Sequence, residues 1–282
     1  MRVFAFLTLL LGLLWAFPAT AQTREQKAQA LINAYPDYLA GFDGVNLIWK
    51  DGTRMPFGEG RADKPLEDLL DRPDIADMFH WSYVFDGAAS PASLDSDPGR
   101  VRNEAFFEKM YGACQKRPAR ACASVKCAST APLKNVPWVP KFSGGAMQAA
   151  AVNGVDEKLR LISKELEALG PSFAKYLVPS GGSYVPRCIA GTTRLSVHSF
   201  GIAIDINPQY GGYWQYGLPA GTSEEQTRQK KIPLVYKNRI PLEIVKVFEK
   251  HGFIWGGNWY HFDGMHFEYR PEFLALKAIM SQ

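Results

Sequence analysis

His198 and Asp205 lie seven residues apart in the stretch Ser196-Val-His-Ser-Phe-Gly-Ile-Ala-Ile-Asp-Ile-Asn207, and both side chains can bind a metal ion. The run after Gly201 alternates like a strand: Ile202, Ile204 and Ile206 face one way, Ala203 and Asp205 the other. A carboxylate opposite an isoleucine stripe is costly to bury without a partner. A divalent cation would be such a partner, with His198, set just ahead of the strand by Gly201, as a second ligand. Ala203 between them is too small to block the site.

A zinc site that does chemistry takes three protein ligands and leaves a fourth position open. The remaining ligand must come from elsewhere in the chain. Near the C-terminus, Met265, Phe267 and Tyr269 alternate with His266 and Glu268, again a strand with one apolar and one polar face. His266 is the best third ligand. Asp263, three residues earlier and followed by Gly264, is placed where a carboxylate could reach water in the open position. His261 is a further candidate for the proton work or for contact with the transition state. Glu268, on the same face as His266, could orient that imidazole through a hydrogen bond.

The pattern Ser-x-His-x-x-Gly-x-Ala-x-Asp, followed by an acidic residue three before a His, resembles the zinc peptidases named for lysostaphin, D-alanyl-D-alanine peptidases and hedgehog proteins. Within that group it is similar to the VanY-type D-alanyl-D-alanine carboxypeptidases, over about residues 180–272. The resemblance implies an α+β fold: a small antiparallel sheet carrying one Zn²⁺ per chain, flanked by helices. It implies hydrolysis of peptidoglycan stem peptides, with His198, Asp205 and His266 as metal ligands and Asp263 as general base. It also implies an arginine upstream of the first ligand that holds substrate and stabilises developing negative charge. Arg187 is the expected residue and Arg194 the alternative; Ser196, which opens the motif, and Glu268 belong beside the ligands. Several relatives carry Glu where Asp263 stands, so either the turn approaches the metal more closely or His261 shares the proton transfer. Relatives that cut the L-alanyl-D-glutamate bond share this machinery, and some hedgehog-like members keep the metal without the activity. The sequence does not choose which bond is cut; Asp263 argues against a zinc-stabilised module that only binds cell wall.

The elements that must position these residues are partly legible. Residues 22–38 read as a helix with Leu31 and Ile32 inward, ended near Pro36. Val45 to Phe57 reads as a hairpin about Asp51-Gly52, for which a tight primed turn is expected. Short helical pieces flank Pro73, residues 87–100 read as loop, and Asn103 to Tyr111 is helical with Gly112 as its stop. Residues 112–135 read as an irregular insertion. Val155 to Leu169 repeats Leu159, Ile162, Leu166 and Leu169 at helical spacing. Gly181 to Gly191 is expected as strand and loop, and Pro208 to Lys231 as an aromatic-bearing loop. Pro241 to Gly252 and the segment after Pro271 read as helices.

Met1 and Arg2 before an apolar run to Phe17, then Pro-Ala-Thr-Ala21, describe a secretory signal peptide at residues 1–21. The expected divisions are this signal, an amino-terminal region at 22–135 packed on the catalytic part, and a zinc peptidase domain at 136–282. An exported, periplasmic or secreted monomer follows, with no transmembrane span after cleavage. A net charge of +4 is too weak to argue for nucleic acid. Cys114, Cys122, Cys127 and Cys188 would enter an oxidising compartment, where an even number permits disulfides. One local bridge among the first three is expected, with Cys188 joining the remaining one; three complete pairings stay open. His80 beside Asp77 and Asp86 is read as structural, and Asp95, Asp97 and Gly99 lack the acidic twelfth position of a calcium loop.

Overall fold

The computed structural model describes residues 22–85, 96–116, 125–127, 132–190, 192–219, 221–230 and 232–282. The expected signal peptide lies outside them, as do Asp86, Asp95 and Cys122. Helix α1 (Arg24–Ala34) opens on a capping box in which Thr23 and Gln26 exchange side-chain and backbone hydrogen bonds. Strands β1 (Leu39–Phe42), β2 (Asn46–Trp49) and β3 (Arg54–Pro56) form an antiparallel meander. The turn at Asp51-Gly52 is wider than a two-residue connection. Ile48 pairs with Arg54, and the Asp51 carboxylate accepts from the Thr53 amide inside the loop.

Helix α2 (Leu66–Asp71) and a 3₁₀ turn at Ala76–Phe79 flank Pro73. Helix α3 (Glu104–Tyr111) is capped by the Asn103 side chain and ends at Gly112, whose φ of 111° suits glycine. The stretch expected to be irregular holds an antiparallel pair, β4 (Cys114–Lys116) and β5 (Val125–Cys127). Cys114 and Cys127 face each other across it and form a disulfide, so the local bridge is the 114–127 pair. Cys188 is disulfide-bonded as well.

Strands β6 (Leu133–Pro137) and β7 (Ala146–Ala150) make a second ribbon, on which α4 (Val155–Ala168) buries Leu159, Ile162 and Leu166. A single turn, α5 (Ala174–Leu177), follows. Among the described residues from Gly181 onward to Ala190 no named strand forms; isolated bridges from Gly182 to Asp205 and from Cys188 to Leu195 take its place. After β8 (Ala203–Asp205), the expected loop is interrupted by α6 (Glu224–Gln229). Ser223 and Gln226 form a capping box there, a signal masked by the glycines and tyrosines before it.

Helix α7 (Leu242–Lys250) leads into β9 (Phe253–Trp255), and β10 (His266–Tyr269) leads into α8 (Pro271–Met280). The resulting three-stranded antiparallel sheet runs β8-β10-β9, with β10 in the middle. Ile204 and Phe267 pair across it and are fully buried on one face; Asp205 pairs with His266 and Ala203 with Glu268 on the other. The architecture is mixed, with helices around small antiparallel sheets. One apolar cluster runs from Ala28 in α1 to Leu276 in α8, and the Tyr35 hydroxyl donates to Glu272 at 2.7 Å. Among the described residues no helix is long and apolar enough to cross a membrane.

Phe106 is fully buried with its ring against Tyr35 and Trp49. Phe106→Ala should therefore cost about 3–5 kcal/mol. Because the apolar cluster is continuous, thermal unfolding followed by calorimetry should stay a single transition, and two separated transitions would contradict a shared core.

Candidate active site

Strand pairing brings Asp205 and His266 side by side, because directly opposed residues of an antiparallel pair hold their Cβ atoms about 4.5–5.5 Å apart. His198 reaches the same point from a 3₁₀ turn at Val197–Phe200. Gly201 ends that turn with φ 68° and sends the chain into β8. A Cβ on Gly201 would come within 2.8 Å of Leu133 and 3.2 Å of the Ala150 amide, so the turn packs only with glycine.

Three donor atoms converge. His198 Nε2 lies 3.2 Å from His266 Nδ1 and 3.3 Å from Asp205 Oδ1, and the last two are 2.9 Å apart. Ligands at about 2.0–2.1 Å from a tetrahedral zinc stand about 3.3 Å from one another. The triangle therefore fits a small divalent ion with nitrogen and oxygen ligands. The outer ring nitrogens are each tied to an oxygen: His198 Nδ1 to the Ser183 carbonyl, and His266 Nε2 to Glu268 Oε2 at 3.2 Å. Each outer nitrogen must carry the proton in such a bond, which turns the lone pair of the inner one toward the cluster.

The electrostatics call for a positive charge at this point. Burial alone would lower the His266 imidazole, but hydrogen bonds to Asp205 and Glu268 carry it up to about 10. Burial would raise Asp205, yet His198 and His266 hold it well below the usual carboxylate range. Burial, followed by the negative charge of Asp205, pushes the Asp263 carboxyl up to about 6. Its Oδ1 atom is buried without a hydrogen-bond partner. A carboxylate left unpaired beside a cation site is poised to take a proton.

A cavity of about 330 Å³ opens over the cluster, lined by His198, Asp205, His266, Asp263, Ser196, Arg187, Tyr213, Trp259, Arg100 and Arg102 among others. Arg187 is exposed at its rim and forms no ion pair among the described residues. Its amide donates to Ser199 Oγ and its carbonyl accepts from the same hydroxyl, so the backbone is fixed, while Nη1 of its exposed side chain donates to the Cys188 carbonyl at 3.5 Å. Arg194 does not line this cavity; it is buried against Glu224.

His261 is not brought to the cluster. It is fully buried, with Nδ1 2.6 Å from Asp97 Oδ2 and Nε2 3.2 Å from the Thr227 hydroxyl. Both ring nitrogens are occupied, which removes it from the proton transfer considered for it. Asp97, read only as part of a failed calcium loop, is its anchor and also accepts from the His261 amide.

Arg100 and Arg102 went unnoticed in the sequence. They sit in Asp97-Pro-Gly-Arg-Val-Arg102, a loop with no periodicity, and the one available signal was two arginines on the same side of an extended chain. Arg102 reaches Glu268 at 3.3 Å, and Arg100 donates to Glu224 and to the His261 carbonyl. Burial, then repulsion from Arg270, Arg194 and Arg100, brings the Arg102 guanidinium down to about 10 against the attraction of Glu268.

The family model for D-alanyl-D-alanine carboxypeptidase matches residues 190–269 of this chain. The matched segment contains all three members of the cluster and Asp263, and the model describes the family to which the motif was likened. No curated protein and no solved structure matches the chain significantly.

His198→Ala or Asp205→Ala should abolish binding of one equivalent of Zn²⁺, measured as metal content after gel filtration; a retained equivalent would show that the cluster is not the ligand set. Glu268→Gln should weaken zinc binding by about 10–100-fold without removing a ligand. Because His266 is protonated below its raised pKa, affinity should fall as pH falls, and calorimetry in buffers of different ionisation heat should detect proton release on binding.

Proposed function

We propose that this chain is a zinc-dependent peptidase that hydrolyses peptidoglycan stem peptides, of the D-alanyl-D-alanine carboxypeptidase type. The observation that carries this reading is the triangle of His198, Asp205 and His266 with the unpartnered Oδ1 of Asp263 in the same cavity. The family match over residues 190–269 supports a peptidase, and its description supplies the substrate class.

Held by His198, Asp205 and His266, zinc would supply a Lewis acid and would make water in the cavity acidic enough to attack at neutral pH. Asp263 takes the proton from the attacking water and delivers it to the departing amine. Arg187, exposed at the rim, contacts the scissile carbonyl and stabilises the negative charge that develops on it. Glu268 keeps His266 in the tautomer whose Nδ1 lone pair faces the ion. A module that merely held cell wall would have no use for a carboxyl group with a buried, unpartnered oxygen in that cavity.

Incubating purified peptidoglycan with the protein, with and without chelator, and weighing the fragments by mass spectrometry tests the reading. Loss of a terminal alanine is the expected product, and cleavage within the stem would give a different mass. Zinc-loaded protein that releases no fragment would overturn it. Asp263→Ala should keep its zinc and lose about 10²–10⁴ of turnover, roughly 3–5 kcal/mol of barrier. The base must be unprotonated, so turnover should fall tenfold per pH unit on the acid side. Its midpoint should lie at or below about 6, since a bound cation can only lower the Asp263 pKa.

A further inference from the structure

Beside the cavity over the cluster lies a second one, of about 210 Å³, and the two share Arg100 and Arg102 in their walls. Arg194 completes the second cavity, with Asp71, Asn103 and Glu104 among its other lining residues. Arg100 and Arg194 are each more than nine-tenths buried, at 7 % and 9 % exposure. Glu224 pairs with both, and Asp71 comes within 3.5 Å of Arg194 Nε. Even so, Arg194 Nη1, Arg194 Nε and Arg100 Nε are buried without a hydrogen-bond partner. Buried guanidinium donors left unmade carry a desolvation cost that an anion would relieve. A planar fork of donors matches a carboxylate best.

We propose that Arg100, Arg102 and Arg194 form a carboxylate-binding subsite that reads an acidic group of the substrate next to the bond being cut. The inference rests on the peptidase reading above and adds what the pocket recognises. The two cavities share walls, so a carboxylate in the second belongs to a residue close in sequence to the scissile bond. Two groups of a stem peptide qualify: the terminal carboxylate and the free α-carboxylate of an internal, side-chain-linked glutamate. Two of the three arginines come from the chain before residue 190, outside the segment matching the peptidase family, so this subsite would be the contribution of the amino-terminal half to substrate choice.

The test compares the full-length zinc enzyme with Arg194→Gln on three synthetic stem peptides: the free acid, one amidated at the C-terminus, and one amidated at the internal glutamate. Arg194→Gln should raise KM for the free acid at least tenfold and leave kcat within about twofold. One amidation should cost the wild type a similar factor and cost the variant nothing further, and which one does so identifies the carboxylate. If both amidations cost wild type and variant equally, the subsite is disproved. If no peptide is cleaved by either protein, the peptidase reading fails, and calorimetric binding of the same intact peptides decides the subsite by the same comparison. Should Arg194→Gln lose its cooperative unfolding transition, Arg194→Lys, which keeps the charge but not the fork, takes its place.

Discussion

Two imidazole nitrogens and a carboxylate oxygen held within 3.3 Å of one another are the constraint on which the structure turns. Three lone-pair-bearing atoms at that separation repel unless a proton or a cation sits among them. The chain holds them there by means outside the triangle itself. Register fixes Asp205 against His266, a glycine-ended turn swings His198 in, and oxygens behind both imidazoles set which nitrogen faces inward. A slip of one residue in the β8–β10 pairing would exchange Asp205 for a buried isoleucine, since side chains alternate between faces.

Glu268 shows how that arrangement is supported. It is fully buried, yet both carboxylate oxygens are used: Oε1 by Arg270 at 3.1 Å, Oε2 by Arg102 and His266. Burial would raise its pKa, but Arg102 first, then His266 and Arg270, hold it to about 2. A buried carboxylate of this kind is tolerable only when paired on all sides. Gly99 permits the approach, since a Cβ there would lie 2.7 Å from Glu268 Oε1 and 2.1 Å from the Trp259 ring. The amino-terminal half thus contributes charge as well as packing to the metal-facing side of the sheet.

The cluster was legible because its signals are local. Alternation about Ala203 and Phe267 gives the face, and Gly201 gives the entry turn. Helices α4, α7 and α8 were legible from spacing and from proline and glycine at their ends. What failed to show had non-local causes. His261 looks catalytic by spacing, and only its fold-long pairing with Asp97 withdraws it. Helix α6 lies in a glycine- and aromatic-rich stretch where its capping box was easily passed over. Arg100 and Arg102 become part of the site through a long-range approach that no period or motif announces.

That approach also explains why the two halves share one core. A continuous hydrogen-bonded path runs from Tyr35, the residue that caps the end of α1, to Glu272, then Arg270, Glu268 and the His266 ring. Each member from Tyr35 to Glu268 is essentially inaccessible to solvent. In so low a dielectric, removing one partner leaves the next charge uncompensated, so the members stand or fall together. Rings of Phe107 and Phe273 sit about 5 Å from the Arg270 guanidinium and fix it from the side. The sheet carrying the cluster is therefore held from behind by residues of the amino-terminal half, and the orientation of one imidazole depends on the tyrosine that caps the first helix.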